Sequence, residues 1–207
     1  MTRFIAMLAA ITIAIVLGVT YLLTKGRGNE QASCGASTVA GGADQIGGPF
    51  TLVDETGAEV TSAELLTKPS LIYFGYTFCP DVCPLDAARN AEAVDLLAER
   101  GMDVQPIFIS IDPERDTPEV LAEYTDYLHP EMIGLTGSAE QVKAASQAYR
   151  TYYKAQPAAE GEEDFYLVDH STFTYLTLPE TGFVEFFRRE VSAEDMAEKT
   201  ACFVNQG

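Results

Sequence analysis

Phe74-Gly75-Tyr76-Thr77-Phe78-Cys79-Pro80-Asp81-Val82-Cys83-Pro84 lies where an apolar and aromatic run, Ser70 to Tyr76, gives way to apolar residues at helical spacing from Pro84 to Arg100. A short apolar run rich in β-formers suits a buried strand, and the longer periodic segment after it suits a helix. Pro84 is favoured in the first turn of a helix, so Cys83 is expected at or next to the N-cap. There the positive end of the helix dipole would stabilise its thiolate and lower its pKa. Pro80 disfavours helical geometry at the residue before it and keeps Cys79 in the connecting loop. Two thiols four positions apart in a tight loop either close a disulfide or hold one soft metal ion. A plain buried cysteine pair is common in cores but does not call for prolines at a helix start.

Outward from this junction the chain alternates. Val104 to Ile111 reads as a second buried strand, and Thr117 followed by Pro118 has the chemistry of an N-cap opening a helix to about Leu128. Met132 to Leu135 is a short strand and Ser138 to Tyr149 a helix. An acidic loop, Ala158 to Asp164, precedes three β-rich runs, Phe165 to Val168, Phe173 to Leu178 and Phe183 to Phe187. A last helix spans Ser192 to Phe203. Strands alternating with helices and then strands in succession imply an α/β fold, a mixed sheet with helices on both faces. The thioredoxin-like arrangement is the simplest that also places a cysteine motif between strand and helix.

Phe4 to Leu23 is a 20-residue run without charge, long enough to cross a bilayer as a helix and longer than the apolar region of a cleaved signal peptide. It is expected to be a membrane anchor. Arg3 precedes it while Lys25 and Arg27 follow, so flanking charge does not fix its orientation. Cysteine usage does argue for an oxidising compartment, and the domain is expected in the periplasm, on the outer side of a bacterial inner membrane. Residues 25–47, rich in Gly, Ser and Ala without periodicity, read as a flexible tether. The expected organisation is thus anchor 1–24, tether 25–47 and domain 48–207. Cys34 lies too far beyond the apolar run for a lipid-attachment site. Cys34 and Cys202, near the two ends of the folded region and in no ligand or redox motif, are expected to form a structural disulfide.

All 31 acidic residues lie beyond the anchor, and residues 28–207 carry only ten of the 13 basic ones. Such a surface excludes nucleic acid as a partner. It serves solubility or steers the domain to a basic patch, and composition does not choose between these.

Two thiolates leave a metal under-coordinated, and His129 and His170 are the histidines available. His129, between Leu128 and Pro130 at an expected helix end, is explained as a cation favoured by the dipole. His170 stands at the exit of an expected strand, in a turn closed by Ser171, where sheet folds display functional side chains. Imidazole suits copper and zinc alike, and position alone leaves a structural and a ligating role open. Asp81, between the cysteines, is a secondary candidate already explained by the helix dipole. Tyr76 and Phe78 are read as packing.

The Cys79 to Pro84 motif, Asp112-Pro113-Glu114-Arg115-Asp116-Thr117-Pro118 and Val168-Asp169-His170-Ser171 occur in the order and at the separations of the Sco/SenC family, which residues 48–204 and the amino-terminal run resemble. The resemblance implies a thioredoxin-like fold with an added β-hairpin, and copper, as Cu(I) and also Cu(II), on Cys79, Cys83 and His170. It further implies a role in cytochrome c oxidase assembly, with an upstream copper donor protein and the copper-site subunit of the oxidase as partners, and membrane attachment through residues 4–23. Asp112 to Pro118 is taken as local structure, with Thr117 capping a helix and Arg115 pairing with nearby acids. A thiol-disulfide oxidoreductase using Cys79 and Cys83 as its redox pair is the alternative. A thiol peroxidase is a third class, suggested by the likeness of Thr77-Phe78-Cys79-Pro80 to the peroxiredoxin nucleophile loop.

Overall fold

A computed structural model describes Met7 and residues 11–21, 34–39, 42–158, 160–161 and 164–206. The compact unit Ser37–Asn205 contains nine strands: β1 (Thr51–Asp54), β2 (Glu59–Thr61), β3 (Ser70–Gly75), β4 (Gln105–Ser110), β5 (Ile133–Thr136), β6 (Tyr153–Ala155), β7 (Val168–His170), β8 (Thr174–Leu178) and β9 (Gly182–Phe187). Interleaved with them are the single turn α1 (Ser62–Leu65) and the helices α2 (Val82–Ala98), α3 (Pro118–Leu128), α4 (Ala139–Ala148) and α5 (Ala193–Val204).

Seven strands form a mixed sheet in the order β2-β1-β5-β4-β3-β8-β9. β3, β4 and β5 are parallel neighbours, each linked to the next through a helix, whereas β1, β2, β8 and β9 join antiparallel. Every residue of β3, β4 and β8 is buried, the signature of central strands covered on both faces. This is a thioredoxin-like α/β fold, a mixed sheet flanked by helices. β6 and β7 make a separate antiparallel pair, with Tyr153 opposite His170.

Local chemistry accounts for the helix boundaries. Thr117, Ser138 and Ser192 each accept a backbone N–H three residues on, at Val120, Gln141 and Asp195, and Pro118 opens α3 without needing a hydrogen bond. Of the three late runs expected as strands, Phe173 to Leu178 and Phe183 to Phe187 correspond to β8 and β9. The first is shifted: residues 165–167 are irregular and pairing starts at Val168.

The compact unit also starts earlier than residue 48, inside the stretch expected as a tether. Glu185 on β9 is fully buried, and its carboxylate is satisfied by the Ser37 N–H at 2.9 Å and Lys199 Nζ at 2.5 Å. An unpaired charge at that depth would be costly. A 3-10 turn at Ala43–Gln45 then packs beside β9, and the Gly47 N–H donates to Ala148 O at 2.8 Å. Cys34 and Cys202 are both disulfide-bonded.

The expected anchor, Phe4 to Leu23, lies in part outside the described residues. Residues 11–21 of it are helical with exposed side chains, and among the described residues no helix is long and apolar enough to cross a membrane.

Gly75, the last residue of β3, sets how the chain leaves the sheet. A Cβ there would lie 2.8 Å from Tyr73 Cε1 and 3.0 Å from the Phe108 ring, and both rings are buried. Gly75→Ala is therefore expected to destabilise the domain by about 1–3 kcal/mol, the usual cost of overpacking. Urea titration would measure it, and an unchanged midpoint would show that the rings yield freely.

Candidate metal centre

The carboxyl end of β3 is where a parallel sheet presents ligand sites. The chain turns there, with the Cys79 N–H donating to Tyr76 O at 3.3 Å, and enters α2 at Val82 with Asp81 as a cap that makes no side-chain bond. Asp81 is exposed and stands outside the cluster described below.

Starting α2 at Val82 corrects the sequence expectation. Cys83 is the second residue of the helix rather than the cap or the cap's neighbour, and Pro84 the third, a position that also needs no N–H partner. The free N–H groups of this first turn consequently face the other cysteine, and Cys83 N–H donates to Cys79 Sγ at 3.4 Å. Cys79, not Cys83, is the thiol pulled down, to about 4. Its largest cause is the hydrogen bond from the Cys83 thiol, joined by the backbone N–H groups of Asp81, Cys83 and Val82 against the opposing effect of burial. The Cys83 thiol is pushed up, first by that same bond to Cys79 and then by burial. The pair thus holds one proton, on Cys83. Both thiols are free and buried, Cys83 completely and Cys79 nearly so.

His170 reaches the pair from the end of β7. Its Nδ1 lies 2.9 Å from Ser171 O. A carbonyl oxygen only accepts, so Nδ1 carries the proton and Nε2 presents a lone pair, 3.3 Å from Cys83 Sγ. A backbone carbonyl on the far nitrogen is the usual arrangement behind a metal-ligating imidazole. The Tyr73 and Tyr76 rings stand edge-on to the imidazole at 6.2 and 5.9 Å. Tyr76, read from the sequence as packing, also takes the Val168 N–H on its hydroxyl at 3.2 Å, tying β7 to the cysteine loop.

The ligand atoms of Cys79, Cys83 and His170 all lie within 4.8 Å of one another. Metal–sulfur and metal–nitrogen bonds of about 2.0–2.3 Å fit a shared ion in that space after small side-chain closure. Two sulfurs and one neutral imidazole are a soft donor set. His129 is not part of it. Its Nε2 faces Asp95 on α2 at 3.3 Å and its Nδ1 accepts the Glu131 N–H at 3.1 Å, so it fastens the end of α3 to α2 and to the following turn.

Sequence reasoning missed what supports the loop. Asp116, fully buried, accepts the Thr77 N–H at 3.1 Å, the Thr77 hydroxyl at 2.6 Å and the Ser110 hydroxyl at 2.6 Å. Burial pushes its carboxyl up in spite of those bonds. Asp112 pairs with Arg115 at 2.5 Å and accepts from Tyr166 Oη at 2.6 Å. The segment after β4, taken as local structure, therefore carries the cysteine loop from below. The readable hint was its density of ionisable residues directly after a fully buried strand.

A thioredoxin-like domain with a Cys-x-x-x-Cys loop at the carboxyl end of a central strand and a histidine facing it from a hairpin is the class these features define. The chain belongs to the SCO1/SenC family, whose model matches residues 38–205. It is 50% identical to Protein SenC of Rhodobacter capsulatus over 204 residues, 99% of this chain and 90% of that protein. Among solved structures it resembles Arabidopsis thaliana ScoI with copper bound, at 41% identity and a TM-score of 0.73, covering 78% of this chain and 99% of that one. BsSco, a member of the Sco family of cytochrome c oxidase assembly proteins, shares the fold at 23% identity and a TM-score of 0.58, covering 75% of this chain and 91% of that one.

The asymmetry of the pair has a direct readout. Reduced, metal-free protein is expected to be alkylated by iodoacetamide at Cys79 first, at a rate nearly flat from pH 8 to 5 and falling only as pH approaches about 4. Peptide mapping against pH measures this. A rate dropping about tenfold per pH unit below pH 8, as for an ordinary thiol of pKa about 8.5, would contradict the assignment.

Proposed function

We propose that the chain is a copper carrier that holds Cu(I) on Cys79, Cys83 and His170, receives it from an upstream copper donor protein and passes it to the copper-site subunit of cytochrome c oxidase during assembly. The observation that carries this reading is the convergence of two free thiols and one imidazole with its lone pair turned inward. Membership of the family, and the copper in the related Arabidopsis structure, support it.

The chemistry of the donor set fits transfer. Thiolates and imidazole favour Cu(I), and three ligands leave room for an incoming thiolate to join before one of the three departs. A structural zinc site would call for a fourth protein ligand, and among the described residues the cluster has three. Cys79 binds as the thiolate it already is, while Cys83 gives up its proton on binding, so loading releases a proton. Two thiolates and a neutral imidazole around Cu(I) would leave the loaded site with one net negative charge.

A second reading keeps a specific observation in its favour. The free pair, one thiolate beside one thiol, is also the resting form of a dithiol reductant. The same domain would then reduce cysteines on its target before the metal arrives. In the proposed setting residues 4–23 anchor the chain in the bacterial inner membrane and the domain faces the periplasm, where protease added to spheroplasts is expected to digest it; protection until lysis would place it in the cytoplasm.

Carrier and reductase separate at His170, because imidazole completes a copper site but takes no necessary part in exchange between Cys79 and Cys83. His170→Ala is expected to weaken Cu(I) binding by more than the roughly 10–100-fold that altering a ligand's partner costs, while the pair still oxidises and reduces. Cys79→Ser and Cys83→Ser are expected to lose both properties. Competition against a chromophoric Cu(I) chelator, with thiol titration alongside, measures them. Parent-like copper affinity in His170→Ala would remove His170 from the site.

A further inference from the structure

Arg115 sits between the two loops that supply the ligands. Its guanidinium carbon lies 3.7 Å from the centroid of the Tyr166 ring and 4.6 Å from that of Phe78, with Tyr76 further off at 5.8 Å. Its Nε is paired with Asp112 Oδ2 at 2.5 Å, and its Nη1 donates to Asp164 O at 3.1 Å. The other oxygen of Asp112 accepts from Tyr166 Oη at 2.6 Å. Phe78 immediately precedes Cys79, whereas Asp164 and Tyr166 lie six and four residues before His170. Phe78 and Phe165 close the group from outside, their rings 5.8 Å apart.

β7 belongs to a two-stranded sheet of its own. Its placement against the cysteine loop therefore depends on contacts beyond sheet pairing, and the Tyr76 hydroxyl and the Arg115 group supply them. Arg115 is itself fixed, since the Arg115 and Asp116 N–H groups both donate to Asp112 O, at 3.2 and 2.9 Å.

We propose that Arg115 is a positioning residue that clamps the His170-bearing segment to the cysteine loop, so that the imidazole is in ligand position before any ion arrives. The proposal rests on the reading of Cys79, Cys83 and His170 as copper ligands. A planar cation suits the role because it stacks on two rings at once while its edge bonds a carboxylate and a carbonyl. Lysine, a point charge on a flexible stem, reproduces neither the stacking nor the fork. Arg115 touches no ligand atom and acts through His170: apparent affinity scales with the fraction of molecules in which the histidine stands ready. A clamp whose loss leaves about one molecule in ten ready would cost about tenfold in affinity.

The test combines Cu(I) competition with amide hydrogen exchange of the metal-free protein, on Arg115→Ala, Arg115→Lys, His170→Ala and the double variant Arg115→Ala/His170→Ala. The expected result is an about tenfold weaker affinity for Arg115→Ala, with little recovery in Arg115→Lys. Exchange at Val168 to Ser171 should accelerate to a similar degree while β3 and β4 amides stay protected. The double variant should bind no more weakly than His170→Ala. Three results overturn the clamp: parent-like affinity with unchanged exchange, faster exchange throughout β3 and β4, or the same tenfold loss with His170 already absent. Failure of the parent itself to bind Cu(I) would sink the copper reading, and exchange in the metal-free protein would still decide the clamp.

Discussion

The Cys83 N–H donates to Cys79 Sγ at 3.4 Å, and this bond exists because α2 begins at Val82, two residues before the proline that signals a helix. A helix start leaves its first N–H groups unpaired, and a buried start needs an acceptor for them. Here the acceptor is a sulfur. The same sulfur also accepts from the Cys83 thiol, the larger cause of its lowered pKa, so Cys79 is the anionic member of the pair and the shared proton stays on Cys83. Helix initiation and the site's reactivity thus meet at one sulfur, which ties the chemistry to the backbone path out of β3.

That path is held at three levels. Gly75 lets the strand end pass the Tyr73 and Phe108 rings. Asp116 collects the Thr77 amide and hydroxyl from below. Above, Arg115 and Tyr76 join the loop to the hairpin that brings His170. The middle level carries an electrostatic cost, since Asp116 is buried and its ionisation disfavoured; three donated bonds offset only part of it. The domain spends stability there to fix the loop, a pattern characteristic of sites whose geometry must exist before the ligand does.

The central scaffold was legible because β3, β4 and α2 are written in continuous patterns, mostly apolar runs and a long helical period. The termini of those elements were less so. Pro84 is compatible with several positions in a first turn, so the helix start was placed two residues late, and the lowered pKa was given to Cys83 instead of Cys79. The amino-terminal part of the compact unit was read as tether because Ser37 to Gly47 has no periodicity; what orders it is the distant demand of a buried Glu185 for donors. Cys79 and Cys83 could be singled out by residue type and local motif, whereas His170 was assigned as a ligand only through the family resemblance, and the meeting of the three within 4.8 Å is a product of the fold. Asp116 escaped notice and Arg115 was read only for its pairing with nearby acids, which Asp112 provides, because their further roles depend on partners about 40 to 50 residues away in sequence, and no local pattern reports such contacts.

The most direct test of the central claim is X-ray absorption at the copper edge on the protein loaded with one equivalent of Cu(I). The expected first shell is two sulfurs and one nitrogen, the nitrogen lost in His170→Ala. A shell of sulfur alone in the parent protein, or a nitrogen that persists without His170, would contradict the three-ligand site.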